Sequence, residues 1–198
     1  MAERELLLTG IGGQGVQLAA QLVARAAVLD GREVMLFGSY GGMMRGGNTD
    51  ATIVVGDGPV LAPPTVPSAW GSIVMHHDYW GFVRDRLRPG TLVLLNTTVF
   101  RGEVGRDDLG PHDLVLVELP ATDLAVDVGN IMTASVVMVG ALSALTGLVT
   151  LDALLEAVPQ ALPPYRTKHV ELNRAALRAG FDAVGRDLHP AWTSVGAA

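Results

Sequence analysis

Near its start the chain carries a short apolar run, Glu5-Leu-Leu-Leu-Thr9, closed by glycines. A run of that length between turn residues predicts a buried strand. From Gly15 to Leu29 apolar residues fall at Val16, Ala19, Ala20, Val23, Ala26 and Ala27. Steps of three and four give a helix one apolar face, and Gly31 ends it. Glu33–Phe37 reads as a second strand. Strand, helix and strand in that order predict a βαβ unit within a parallel sheet.

Ser39–Asn48 is glycine-rich and predicts a loop. Thr49–Val55 alternates polar and apolar like a strand with one wet face. Asp57-Gly58 signals a hairpin, with Val60-Leu61 pairing back. Pro63, Pro64 and Pro67 mark an extended loop. Ser72–Met75, Thr91–Asn96 and Leu114–Glu118 read as further strands, and Asp78 as the cap of a helix running to about Leu87. Only helices follow, over about Ala121–Asp127, Ile131–Leu145, Leu151–Ala157 and Tyr165–Arg178. Gly180 is expected to end the last one, and the tail from about Leu188 to be loose. The pattern therefore predicts an α/β fold: a single Rossmann-like three-layer domain over residues 1–187, with a mostly parallel sheet and C-terminal helices, then a tail over 188–198.

Composition narrows the function classes. A length of 198 residues suits one domain. Hydrophobic residues make up 49%, charged residues only 17%, and mean hydropathy is +0.35, so some apolar surface is expected to meet another chain. The net charge of −6 and a single lysine, Lys168, leave no basic track for nucleic acid. There is no cysteine, which excludes disulfides, a thiol nucleophile and a cysteine-held iron–sulfur cluster on this chain, and fits a reducing cytoplasm. Val128–Leu151 carries no charge and is long enough to span a bilayer. Its Asn130, Thr133, Ser135, Ser143 and Thr146, with Gly140 and Gly147, favour a buried or interface helix instead, so no membrane span is expected. No signal peptide is visible. Whether Ile131–Leu145 packs in the core or at a subunit interface stays open, since its small residues permit either.

The chemistry concentrates in Gly10-Ile-Gly12-Gly13-Gln14-Gly15, a G-x-G-x-x-G between a strand and a helix. Gly10 permits a tight turn, Gly12 and Gly13 let backbone N–H groups approach a ligand, and Gly15 lets the helix pack close. Those N–H groups and the helix dipole favour an anion such as phosphate; a tight turn without a ligand is the plainer alternative. A nicotinamide site also wants a carboxylate at the end of the second strand, and Leu36-Phe37-Gly38-Ser39 offers none.

Other polar residues divide between roles. Arg45 in its glycine loop is suited to grip a carboxylate or phosphate, or to bond carbonyls that shape the loop. Tyr40 offers a phenol to a ligand or anchors the loop. Asn96 stands at a strand end on the edge where ligands bind, and turn bonding competes for it. Asn130 reads first as a helix cap. In His76-His77-Asp78 neighbouring side chains at a strand end point to opposite sides, so no metal is expected there. No Ser/His/Asp arrangement is legible and no catalytic residue is assigned.

Gly10-Ile-Gly-Gly-Gln-Gly-Val16, Tyr40-Gly41 leading into Arg45-Gly46-Gly47, and a late Asn130 followed by Gly140-Ala141-Leu142 stand in one order. The combination resembles the gamma subunit or domain of 2-oxoacid:ferredoxin (acceptor) oxidoreductases, the group acting on pyruvate, 2-oxoisovalerate, 2-oxoglutarate and indolepyruvate. The resemblance runs from about residue 4 to about residue 183. It implies a complex that decarboxylates a 2-oxoacid, transfers the acyl group to coenzyme A and passes electrons to ferredoxin or a similar acceptor. Thiamine diphosphate, Mg2+ and the iron–sulfur clusters would then lie on partner subunits, and this chain would contribute coenzyme A and subunit contacts. The cofactor-binding residues so implied are Gly10, Gly12, Gly13, Gln14, Gly15, Tyr40, Arg45 and Asn96, with Arg45 near the subunit junction. Two segments depart from the family pattern: Gly42-Met43-Met44 replaces a proline and an acidic residue, and His76-His77-Asp78 stands where relatives carry an acidic residue. A free-standing NAD(P)-binding reductase and a non-catalytic scaffold are the competing readings.

Overall fold

The apolar run at the start becomes β1 (Glu3–Ile11), the central strand of a six-stranded sheet in a computed structural model that describes residues 2–40, 46–61, 66–100 and 113–192. The other strands are β2 (Glu33–Tyr40), β3 (Asn48–Gly56), β4 (Gly71–Val74), β5 (Leu92–Asn96) and β6 (Val115–Leu119), in the order β2-β3-β1-β4-β5-β6. Successive side chains on a strand point to opposite faces. Leu6 and Leu8 accordingly enter one core and Leu7 the other, and Leu92, Leu94 and Val93, Leu95 divide in the same way. A strand covered on both faces reads as an unbroken apolar run.

The sheet is mostly parallel, as expected, but β1 and β2 are not neighbours. β3 lies between them, antiparallel to both, from Glu3↔Gly56 and Glu33↔Gly56 at one end to Ile11↔Asn48 and Tyr40↔Thr49 at the other. The burial of β3 explains its place. Ile53 and Val55 face one core and Val54 the other, so the wet face expected of this segment shrinks to Thr52. An inner position covers both sides, whereas β2 stands at the edge with Met35, Leu36 and Phe37 exposed. Val60-Leu61 forms no strand.

Helices α1 (Val16–Leu29), α3 (Ala121–Val128), α4 (Ala134–Thr146), α5 (Leu151–Ala161) and α6 (Val170–Asp182) cover the larger core. Among the described residues the opposite face carries only α2 (Trp80–Arg84), which contributes Val83, and flanking residues such as Val66 and Leu87. Every residue of α4 is buried, which decides for the core; a helix apolar all round belongs inside. No described helix is long and apolar enough to cross a membrane.

Two expectations on the C-terminal side are corrected. Gly180 does not stop a helix; it lies inside α6, which runs on to Asp182. There it crosses Gly140 of α4, and a Cβ on either glycine would overlap the other helix's backbone. Nor is the chain loose over the described residues 188–192. The N–H groups of Asp187, His189 and Ala191 donate to the carbonyls of Ala144, Leu145 and Thr146, and Trp192 Nε1 donates to Leu148. The end of α4 leaves carbonyls without helical partners, and this strap satisfies them, so the folded unit extends to Trp192.

Candidate functional site

From β1 the chain leaves through α1 toward β2, whereas β4, β5 and β6 build the other side of the sheet. The C-terminal ends of β1 and β4 thus bound the crevice where open α/β sheets take ligands. The glycine loop, the segment Met75–Asp78 beyond β4 and the start of β3 surround it.

Each loop residue has a distinct task. Gly10 is hemmed in, because a Cβ would lie 2.9 Å from Met75 Cβ. The Gly12 N–H donates to the Gly47 carbonyl (2.8 Å) and the Gln14 N–H to the Ile11 carbonyl (3.1 Å). Gln14 Oε1 accepts from the Ile11 N–H (2.9 Å), and its Nε2 donates to the Met75 carbonyl (3.3 Å). Gln14 is therefore a strut between β1 and the chain beyond β4. The sequence reading offered the Gly12 N–H to a ligand; the structure engages it with Gly47, because the end of the glycine-rich segment folds onto the loop. Gly13 (φ +105°) faces open space, and Gly15 (φ +81°) precedes the 14-residue α1, whose N-terminus has no side-chain cap and no acidic residue in its first turn. Partial positive charge at that end favours an anion.

A second layer of polar residues was not anticipated from the sequence. Thr9 Oγ1 donates to Asp50 Oδ1 (2.6 Å), Asn48 Nδ2 donates to Asp50 Oδ2, and Gln17 Nε2 donates to the Asp50 carbonyl (2.8 Å). Around the loop stand three buried oxygens with no hydrogen-bond partner among the described residues: Asn48 Oδ1, Thr49 Oγ1 and Ser135 Oγ. Ser135 Oγ lies 2.5 Å from where a Gly15 Cβ would sit, and Thr49 Oγ1 lies 3.7 Å from the same point on Gly12. Buried polar atoms are nearly always bonded, so these orphans beside the loop call for a partner such as a water or a ligand. The available signals were Asn48-Thr49-Asp50, polar at the head of an apolar strand, and Ser135 within an apolar helix.

Burial pushes the Asp50 carboxyl up, and the hydrogen bonds from Thr9 and Asn48 and the Arg86 charge only partly oppose it. A raised carboxyl holds its proton more tightly when folded, so stability falls as pH rises from 3.8 through the raised value and stays lowered above it. Asp50→Asn is expected to remove that fall. The unpartnered Asn48 Oδ1 can turn to accept the new amide proton. Urea unfolding from pH 4 to pH 7 checks this: wild type should lose stability relative to the variant with rising pH, and a flat difference would refute it.

The remaining predicted residues are only partly brought together. Tyr40 ends β2 paired with Thr49, and its side chain lies outside the described residues, as does all of Arg45. Asn96 does not face the crevice with a free amide. It is fully buried, its Nδ2 donates to Thr122 Oγ1 (2.8 Å), and its Oδ1 accepts from the Thr122 N–H, tying β5 to the start of α3. Asn130 caps as expected, accepting from the Met132 N–H (3.0 Å). Asp78 is not the cap of a helix; His76 Nδ1 caps the short 3-10 turn by accepting from the Asp78 N–H, and α2 stops at Arg84. His76 and His77 do not point apart either. β4 ends at Val74, so both residues lie past the pleat, and their rings stack with centroids 4.4 Å apart.

Comparison with known proteins accounts for this architecture. The family model described as pyruvate ferredoxin/flavodoxin oxidoreductase matches residues 5–183. The 2-oxoglutarate synthase subunit KorC of Methanothermobacter thermautotrophicus is 31% identical over 183 residues, covering 91% of this chain and 95% of that protein. The keto/oxoacid ferredoxin oxidoreductase gamma subunit from Geobacter sulfurreducens superposes with a TM-score of 0.76 at 29% identity, covering 92% of this chain and 96% of that one. The 2-oxoglutarate:ferredoxin oxidoreductase of Magnetococcus marinus, solved with 2-oxoglutarate, coenzyme A and succinyl-CoA bound, shares the fold at a TM-score of 0.80 and 17% identity, over 94% of this chain and 32% of its own. The strand order built around Gly10–Gly15 and the match over nearly all the folded residues agree: the chain belongs to the pyruvate ferredoxin/flavodoxin oxidoreductase family.

Proposed function

We propose that this chain is the gamma subunit of a cytoplasmic, thiamine diphosphate-dependent 2-oxoacid:ferredoxin oxidoreductase. The reaction is 2-oxoacid plus coenzyme A plus oxidised acceptor, giving acyl-CoA, CO2 and reduced acceptor. Thiamine diphosphate, Mg2+ and the iron–sulfur clusters belong to partner subunits, consistent with a chain that has no cysteine. The role of this chain is to hold part of coenzyme A at the crevice and to dock against those partners. Exposed Ile131 and Met132, beside the loop that contains Gly15, suit the docking role.

The orphaned oxygens carry the ligand reading. Thr49 and Ser135 hydroxyls can donate to anionic or carbonyl oxygens, and Asn48 Oδ1 accepts an N–H. A ligand with phosphates and amides, as in coenzyme A, meets both needs. The uncapped N-terminus of α1 adds attraction for the anionic part. The Asp50 carboxyl is turned away into bonds from Thr9 and Asn48, one on each oxygen.

Gly12→Asp tests the reading in the assembled complex. A Cβ at Gly12 meets nothing nearer than 3.5 Å, so the fold should tolerate it, while a carboxylate enters the anion site. The expected result is a KM for coenzyme A raised about tenfold or more, corresponding to about 1.4 kcal/mol, with an unchanged melting temperature. An unchanged KM for coenzyme A would remove the loop from the site. Purification without thiamine-binding and cysteine-rich partner chains would remove the subunit assignment.

A further inference from the structure

We propose that His76, His77 and Asp78 form a binding site for a divalent transition ion of the Zn2+ class at the rim of the crevice. The warrant is a mismatch of donors and acceptors. His77 Nδ1 lies 3.3 Å from the Val99 carbonyl, an oxygen that only accepts, so Nδ1 carries a proton. That leaves the lone pair of the neutral ring on Nε2, which lies 2.9 Å from Asp78 Oδ1, a second acceptor. On the other side His76 Nδ1 lies 3.5 Å from Asp78 Oδ2 and accepts from the Asp78 N–H, a hydrogen bond that an ion would displace in taking the same lone pair. A cation satisfies this set, either a proton on His77 Nε2 or a metal ion in its place, and the three gathered donors point to the metal ion.

The geometry suits a metal ion. One donor atom from each of the three residues lies within 4.8 Å of the others, and Zn2+ draws such atoms in to about 2.0–2.2 Å. Val99 supplies what a ligating histidine ordinarily has: a backbone carbonyl on the far nitrogen that fixes the tautomer and aims Nε2 at the ion. The stacked rings are held side by side at 26°, and Phe100 packs edge-on against His77 at 6.3 Å, so the imidazoles need little reordering. Two imidazoles and a carboxylate select Zn2+, Co2+ or Ni2+ over Mg2+ or Ca2+. Side-chain exposures of 18%, 32% and 58% leave the ion reachable, and three protein donors leave a coordination position open to water or a ligand oxyanion. Gln14 bonds the carbonyl of Met75, the residue before His76, which places this position beside the glycine loop. The inference stands on these residues alone and does not depend on the coenzyme A assignment.

The test uses the full chain without a polyhistidine tag, stripped with a chelator and titrated with Zn2+ by calorimetry and with Co2+ by visible absorption. One equivalent should bind. His76→Gln and His77→Gln should each weaken binding at least about tenfold, while His169→Gln, on a different turn, should not change it. Absent binding, or equal affinity in His77→Gln, would overturn the site and leave Asp78 paired with a protonated His77. Should a variant fail to fold, Co2+-induced NMR broadening in wild type decides the matter: it should centre on His76–Asp78 and Val99–Phe100, and broadening centred elsewhere overturns the proposal.

Discussion

Gly180→Ala is expected to lower the melting temperature by roughly 5–12 °C, corresponding to about 2–3 kcal/mol in a domain of this size. Helix propensity predicts the opposite sign, since alanine is favoured over glycine inside a helix by about 1 kcal/mol. Packing overrides it. A Cβ on Gly180 would run into the Val137 carbonyl of α4 and come within 3.0 Å of Val137 Cα. Gly140 faces the same crossing from the other side, where a Cβ would overlap the Leu177 carbonyl and lie 3.0 Å from the Phe181 nitrogen. Backbone atoms have no rotamer to change, so relief requires the two helices to separate. α4 is buried along its whole length and cannot shift without disturbing the sheet beneath it. Gly81→Ala is the control, because nothing lies within 4 Å of its Cβ position in α2; it should be neutral or slightly stabilising. A Gly180→Ala protein that melts with wild type would show that the helices do not meet this closely. Thermal unfolding of the two variants beside wild type gives the answer.

That glycine also marks where sequence reading reaches its limit. A glycine near the end of a periodic segment signals a stop, and the same residue mid-helix signals close packing. Choosing between them needs the partner helix, which sequence does not supply. The strands, α1 and the glycine loop were legible because their signals are local: short apolar runs, one helical period, and glycines at fixed spacing. The place of β3 between β1 and β2 was not, since strand order depends on pairings between distant segments. Around the crevice, the turn that Gly10, Gly13, Gln14 and Gly15 build was legible, but the engagement of the Gly12 N–H by Gly47 and the orphaned Thr49 and Ser135 hydroxyls were not. They come from segments far apart in the chain that meet only once the sheet has formed. His76 and His77 were placed on opposite sides by assuming that the strand continues; it ends at Val74, and beyond it the alternation of a pleat no longer applies.

Deleting residues 187–198 is expected to destabilise the domain by roughly 3–5 kcal/mol and to slow or abolish refolding. A loose tail would predict no change. The strap supplies backbone donors to Ala144, Leu145 and Thr146, and Ala191 is fully buried. The Ala191 carbonyl accepts from Arg4 Nε at 2.6 Å, and the Arg32 guanidinium lies over the Trp192 ring at 4.0 Å. His189 stacks on Trp70 at 4.7 Å and helps keep that indole only 8% exposed. Ordering these residues costs conformational entropy, which is why the net loss falls below the sum of the contacts. Trp192→Ala should show part of the effect, as it removes the ring and its bond to the Leu148 carbonyl but leaves the backbone ladder. The same strap should also loosen in mild acid. Burial, and then the Arg4 charge, push the His189 imidazole down from its ordinary 6.5. A depressed imidazole binds its proton more weakly when folded, so its contribution is complete above 6.5 and is lost as pH falls through 6.5 toward the lowered value. Limited proteolysis after Arg186 should therefore accelerate between pH 7 and pH 5 in wild type, and less so in His189→Gln. An equal acceleration in both proteins would place the sensitivity elsewhere, and an undiminished melting temperature in the truncated chain would show that the strap is not part of the fold.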